Sequence, residues 1–255
     1  MLHRLKAVVF ALAAPLVLMS CVFVPGKFES ALTIHADRSF TFAYKGEVMA
    51  VDLQAFMGKA MQEGMAEGAK GKAGKKDTTP EKEPDFTLTP EEKAKQDVSF
   101  RKLAVEVAKE TGYRTVEYRG NGMFWVDYQI SGTLEHGFVF PYNLDNQMIM
   151  PWIAVELRGT DLIRIKAPGY VRMSGSSTGM GNMGDLSALS MMPGGIGDAF
   201  NRLEGTFTFT TDAELVSQNN EAGAVTVGKD KTITWKTDTT TDDAPMASIR
   251  VRAVQ

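Results

Sequence analysis

Cys21 is the single cysteine in a chain of 255 residues, so its thiol is the one soft nucleophile the sequence offers. The other groupings that resemble chemistry fail on context. Gly175-Ser176-Ser177-Thr178-Gly179 has the spacing of a serine nucleophile on a sharp strand-to-helix turn, which needs an acid and a histidine further along the chain. No histidine occurs after position 136, so the base is missing. Gly179-Met180-Gly181-Asn182-Met183-Gly184 has the spacing of a dinucleotide loop, but that loop works only between a strand and a helix of a βαβ unit. Here it leads only into a short helical stretch, Asp185–Met192, stopped at Pro193-Gly194-Gly195. Met173, Met180, Met183, Met191 and Met192 in the same tract are soft thioethers of the kind Cu(I) prefers. With 15 methionines in the chain, flexible filling of irregular apolar contacts accounts for them better. Past residue 21 the histidines are His35 and His136, neither with zinc-ligand spacing. The expectation is therefore no enzyme, with no catalytic residue, metal or cofactor.

The residues before Cys21 give its thiol a purpose. Met1–Lys6 carries Arg4 and Lys6 and no acid, and Ala7–Leu18 is apolar throughout. A charged start, a short apolar core and a small residue at the end describe a secretory signal peptide over residues 1–20. The apolar core has 12 residues and contains Pro15, whereas a bilayer-crossing helix needs about 20, so an uncleaved anchor is the weaker reading. Leu18-Met19-Ser20-Cys21 resembles the lipobox of bacterial lipoproteins: an aliphatic residue, a variable one, a small one, then cysteine. The resemblance implies that Leu18 and Ser20 are read by the signal peptidase. It also implies that the Cys21 thiol receives a diacylglyceryl group, that cleavage falls before Cys21, and that the new amine is acylated. A leftover cysteine in an exported chain calls for such an explanation. One acyl chain binds a membrane marginally, while two or three hold it firmly. In Gram-negative relatives an aspartate after the cysteine commonly retains the protein at the inner membrane. Val22 in that place implies the outer membrane, facing the periplasm, in such a host.

Removing the signal peptide leaves 235 residues with 26 Lys+Arg against 31 Asp+Glu. A mildly acidic domain is a poor partner for nucleic acid, which selects for positive patches. Residues 21–27 are expected to form a lipidated tether and residues 28–255 a single domain.

Within the domain, Leu32, Ile34, Phe40, Phe42 and Tyr44 alternate around Ala36-Asp37-Arg38-Ser39, a hairpin signature. Asp52 is placed to cap a helix whose Leu53, Phe56, Met57, Ala60, Met61 and Met65 fall at helical spacing. Residues 69–96 change from a lysine block to an acidic, proline-bearing stretch, a disordered insertion by composition, with the lysines most simply a solvated run. Thr89-Pro90-Glu91-Glu92 opens a second helix with a capping box, and Gly112 stops it. From Tyr113 the period becomes strand-like, with a strong turn at Arg119-Gly120-Asn121-Gly122. Strands are expected over Gly137–Leu144, Met148–Leu157, Leu162–Lys166, Gly205–Thr211, Ala213–Ser217, Thr232–Thr237 and Ala247–Arg252, interrupted by a flexible glycine- and methionine-rich loop over 172–197. The fold class expected is α+β, a mainly antiparallel sheet with two early helices.

Phe207-Thr208-Phe209, Ala213-Glu214-Leu215-Val216-Ser217, Asn219-Asn220 and Thr232-Ile233-Thr234-Trp235 are similar to the end of LppM-type bacterial lipoproteins, which also open with a lipobox and an early hairpin. The likeness covers about a third of the chain, at its two ends, and Thr210-Thr211 stands where that family has Pro-Gly after the phenylalanine. It implies an α/β domain of lipid-binding type on a lipidated stalk. Two function classes are compatible with this reading. One is a carrier holding a lipid or other apolar ligand, with Phe124, Trp125, Tyr128, Phe138, Phe140 and Trp152 as lining or, equally well, as core. The other is an assembly lipoprotein presenting its domain to envelope proteins.

Overall fold

The computed structural model describes residues 21–52, 88–141, 151–172, 199 and 201–253. It corrects the α+β expectation. The described residues form twelve strands and one α-helix, arranged as two sheets, so the fold is mainly β. The stripe expected as the first helix, Leu53–Met65, lies outside the described residues, and its proposed cap Asp52 is instead the last residue of a strand. The physical reason is pairing: Asp52 sits opposite Cys21, and a ladder partner outweighs the local capping preference of an aspartate.

The first hairpin is longer than expected at both arms, β1 Cys21–Ile34 and β2 Ser39–Asp52. The helix α1, Pro90–Val107, starts as its sequence predicts. Thr89 accepts the Glu92 backbone N–H and Glu92 reaches back to the Thr89 N–H at 2.8 Å. Phe100 and Ala104 are its buried residues, and the Phe100 ring meets Tyr118 and Phe124. β3 Tyr113–Gly120 and β4 Met123–Thr133 flank a turn in which Gly120, Asn121 and Gly122 all have positive φ. That conformation favours glycine and tolerates asparagine, which makes this turn legible in the sequence.

The remaining strands are β5 Phe138–Phe140, β6 Ile153–Arg158, β7 Leu162–Lys166, β8 Glu204–Thr211, β9 Glu214–Gln218, β10 Val225–Val227, β11 Asp230–Asp238 and β12 Met246–Arg250. The larger sheet runs β10-β11-β8-β1-β2-β4-β3 and the smaller β5-β6-β7-β12-β9. Every pairing is antiparallel except β1 with β8, which run parallel from Lys27↔Glu204 to Thr33↔Thr210.

Alternation along the strands builds the core between the sheets. Leu32, Ile34, Phe42, Tyr44, Phe207 and Phe209 from the larger sheet, and Ile153, Ile163, Ile165 and Ile249 from the smaller, are completely or almost completely buried. Each such side chain contributes about 1.5–3 kcal/mol relative to exposure. Aromatic rings bridge the layers: Phe42 to Phe140 with centroids 4.9 Å apart, Tyr44 to Trp152 at 5.1 Å, and Phe28 to Tyr170 at 4.2 Å.

Candidate functional site

The end of the larger sheet that starts with Cys21 is the place where a modified thiol would meet the folded domain. β1 begins at Cys21 itself, in the register Cys21↔Asp52, Val22↔Val51, Phe23↔Ala50 and Val24↔Met49. Residues 21–27, expected as a tether, are thus part of a strand from the first residue. Phe23 packs on the main core, while Val24 joins Met49 and Ala199 in a small second cluster with Val22 and Met123 beside it. This is the two-residue alternation of a strand with both faces covered. The Phe23 carbonyl accepts the Trp152 Nε1–H at 3.1 Å, tying β1 to the smaller sheet. Beside it, the Ala50 N–H donates to the Gly122 carbonyl at 2.8 Å, which holds the β3–β4 turn against the same end.

A bulge comes next along β1. Pro25 pairs with Val48 and Phe28 with Gly46, leaving Gly26 and Lys27 opposite Glu47 alone. Glu47 is locked there by Arg202, whose Nη2 donates at 3.0 Å. On the outer face near this end, the Arg119 guanidinium lies 4.6 Å from the centre of the Trp125 ring and 3.3 Å from Glu117.

Of the residues expected to matter, Cys21 opens β1, while Leu18 and Ser20 lie outside the described residues. So do the Gly-x-Ser-x-Gly and Gly-x-Gly-x-x-Gly stretches and the methionines 173, 180, 183, 191 and 192. The aromatic set is split. Phe124, Tyr128, Phe140 and Trp152 are buried and touch one another or other core rings, with Tyr128 and Phe140 at 4.7 Å and Phe140 and Trp152 at 5.5 Å. Phe138 packs on the core from its margin, and Trp125 faces outward under Arg119. These rings, Trp125 apart, fill the interior.

At the opposite end of β1, two arrangements escape sequence reasoning. Asp212 accepts the Ala36 N–H at 2.7 Å and the Lys229 ammonium at 2.9 Å, and His35 Nδ1 stands 3.4 Å away. Lys229, then the Ala36 amide, hold the Asp212 carboxyl at about 2, well below its usual value. Arg38, buried and with φ of 72°, donates to the carbonyls of Arg252 at 3.0 Å, Leu134 at 3.5 Å and Thr160. The partners of Arg38 are 96 to 214 residues away in sequence and Asp212 is 176 from Ala36, so no local pattern announces them. Among the described residues no group of three or more His, Cys, Asp or Glu side chains is placed to hold a metal ion. No helix among them is long and apolar enough to cross a membrane.

No family model and no curated protein matches the chain. Among solved structures it is similar to the folded domain of LppM from Mycobacterium tuberculosis, determined by NMR. The identity is 13%, the match covers 92% of this chain and 94% of that one, and the TM-score is 0.29.

Proposed function

We propose that this chain is the precursor of a bacterial envelope lipoprotein, cut before Cys21 and anchored by acyl chains on that cysteine, with a non-catalytic β-sandwich as its exported part. The observation that carries the proposal is Leu18-Met19-Ser20-Cys21, placed directly after a basic start and a 12-residue apolar core, with no other cysteine in the chain. In the modification, the Cys21 sulfur forms a thioether to the glyceryl carbon of a phospholipid donor, displacing its phosphate headgroup, which leaves with the thiol proton. Water then hydrolyses the Ser20–Cys21 amide. In a Gram-negative host Val22 favours the outer membrane.

For the exported domain we favour presentation to other envelope proteins over carriage of a lipid. The aromatic residues that would line a carrier's cavity pack against one another. Val225 and Val227 meanwhile stand 66% and 74% exposed on β10, which has no partner on its outer side among the described residues.

Mass spectrometry of the protein made in a Gram-negative host tests the anchor. The expected N-terminal peptide runs from Cys21 to Lys27 and carries the mass of a diacylglyceryl group plus an amide-linked acyl chain. An unmodified Cys21 in a processed chain overturns the proposal. Native mass spectrometry of the domain secreted from Val22 separates the two roles: a clean monomer mass supports presentation, and a reproducible lipid adduct supports carriage.

A further inference from the structure

We infer that the domain sits end-on and flush against the bilayer, its contact surface being the Cys21 end of the larger sheet together with the β3–β4 turn. The inference rests on the lipidation proposed above, and the geometry of β1 supplies the rest. Acyl chains on Cys21 begin at the boundary of the hydrocarbon, and the headgroup layer of one leaflet is about 5–7 Å thick, half the difference between the core and the whole bilayer. Two strand residues advance the chain by only about 7 Å. By Phe23 the backbone is already fixed: it pairs with Ala50, its carbonyl holds Trp152 Nε1, and its side chain packs on the core. Val24 and Pro25 are buried as well. No spacer exists between Cys21 and the sheet to lift the domain off the headgroups.

The register then selects what touches the membrane. β2 ends opposite Cys21, β4 begins at Met123 opposite Met49, and Gly122 is hydrogen-bonded to Ala50. Half-buried Val22 and Met123 and exposed Asn121 lie at this end, while the Arg119–Trp125 pair stands higher, level with Glu47 and the bulge of β1. β1 is 14 residues long, so its far end stands roughly 40 Å away along the strand. Through β8 and β11, the β10 hairpin with Val225 and Val227 belongs to that far end, since Thr232 pairs with both Val225 and Thr210, and Thr210 with Thr33. The orientation thus keeps the exposed valines clear of the membrane.

The test uses the full chain, lipidated in its host and reconstituted into vesicles of phosphatidylethanolamine and phosphatidylglycerol. The Cys21 sulfur is blocked by its diacylglyceryl thioether, so Asn121→Cys, Glu117→Cys and Thr226→Cys can each be labelled with an environment-sensitive dye. Headgroup-nitroxide lipids should quench the label at 121 several-fold more than the label at 226, with the label at 117, roughly 17 Å along the strands from Cys21, quenched to an intermediate extent. Glu117 is exposed within β3 and paired with Trp125, outside the turn, so its variant remains informative if the turn variant misfolds. Equal, weak quenching at all three sites, with the acyl mass on Cys21 confirmed, overturns the flush orientation alone. A missing acyl mass overturns the lipoprotein reading instead.

Discussion

The Trp152 indole donates its Nε1–H to the Phe23 carbonyl at 3.1 Å while its ring packs among Tyr44 and Phe140, so one side chain fastens the start of β1 to the smaller sheet. The bond and the packing are separable by substitution. Trp152→Phe keeps most of the ring contact and leaves the Phe23 carbonyl without its donor. It is expected to cost about 1 kcal/mol in urea unfolding. Trp152→Ala also opens a cavity and is expected to cost about 3–5 kcal/mol. Hydrogen exchange at Val22–Val24 should rise in both, because the strand segment nearest the anchor loses its clamp.

Arg38 closes the far end in a comparable way, with a buried guanidinium shared among three carbonyls from three separate segments. Arg38→Met keeps the aliphatic stem and removes the donors. Leaving the buried Leu134 carbonyl and the part-buried bonds to Arg252 and Thr160 without their donor is expected to cost about 1–3 kcal/mol, read as a lower urea midpoint with an unchanged slope. Since Arg38 has positive φ, Arg38→Gly should recover part of that loss by relieving backbone strain, although it restores no bond.

The features legible in the sequence are local. The capping box at Thr89-Pro90-Glu91-Glu92, the glycine–asparagine turn at 120–122 and the alternation of Phe40, Phe42 and Tyr44 each state their structure within a few residues. The long-range features are not legible in this way. Val22-Phe23-Val24 passes for a continuation of the signal peptide's apolar run, yet it is a strand whose side chains serve two different clusters. Asp52 looks like a cap because its partner Cys21 is 31 residues distant. The parallel pairing of β1 with β8 joins segments more than 170 residues apart, and the hydrophobic pattern of neither strand encodes the other's direction. β10 escapes a reading by pattern because its valines are exposed and so show no alternation of burial.

The bulge after Pro25 offers a further check on the β1–β2 register. A Cβ on Gly46 would stand 2.4 Å from the Lys27 carbonyl oxygen and 2.6 Å from the Phe28 Cα, both backbone atoms that cannot turn aside. Gly46→Ala is therefore expected to push the two strands apart at the bulge. The outcome should be a loss of more than about 2 kcal/mol, beyond the 0.5–1 kcal/mol that alanine usually gains over glycine in a strand. Gly159→Ala, with nothing within 4 Å of its Cβ but a φ of +64°, is the control and should cost about 1–2 kcal/mol from backbone strain alone.

Asp212 gives the far end a dependence on acidity. Its carboxyl is held at about 2 in the folded chain against an ordinary value of 3.8, chiefly by the Lys229 ammonium and then by the Ala36 amide. A depressed folded value means stabilisation that is complete above the unfolded value and is lost as pH falls through the folded one. Wild type and Asp212→Asn should therefore differ most at neutral pH, and the gap should close as the pH is lowered from about 4 to about 2. Lys229 is largely exposed, with 77% of its side chain accessible, so its part of the effect should shrink in high salt while the Ala36 amide's part persists. Urea midpoints of the two proteins across that pH range, at low and high ionic strength, check both statements. A gap that stays constant down to pH 2 would show that the contribution of Asp212 does not depend on its charge.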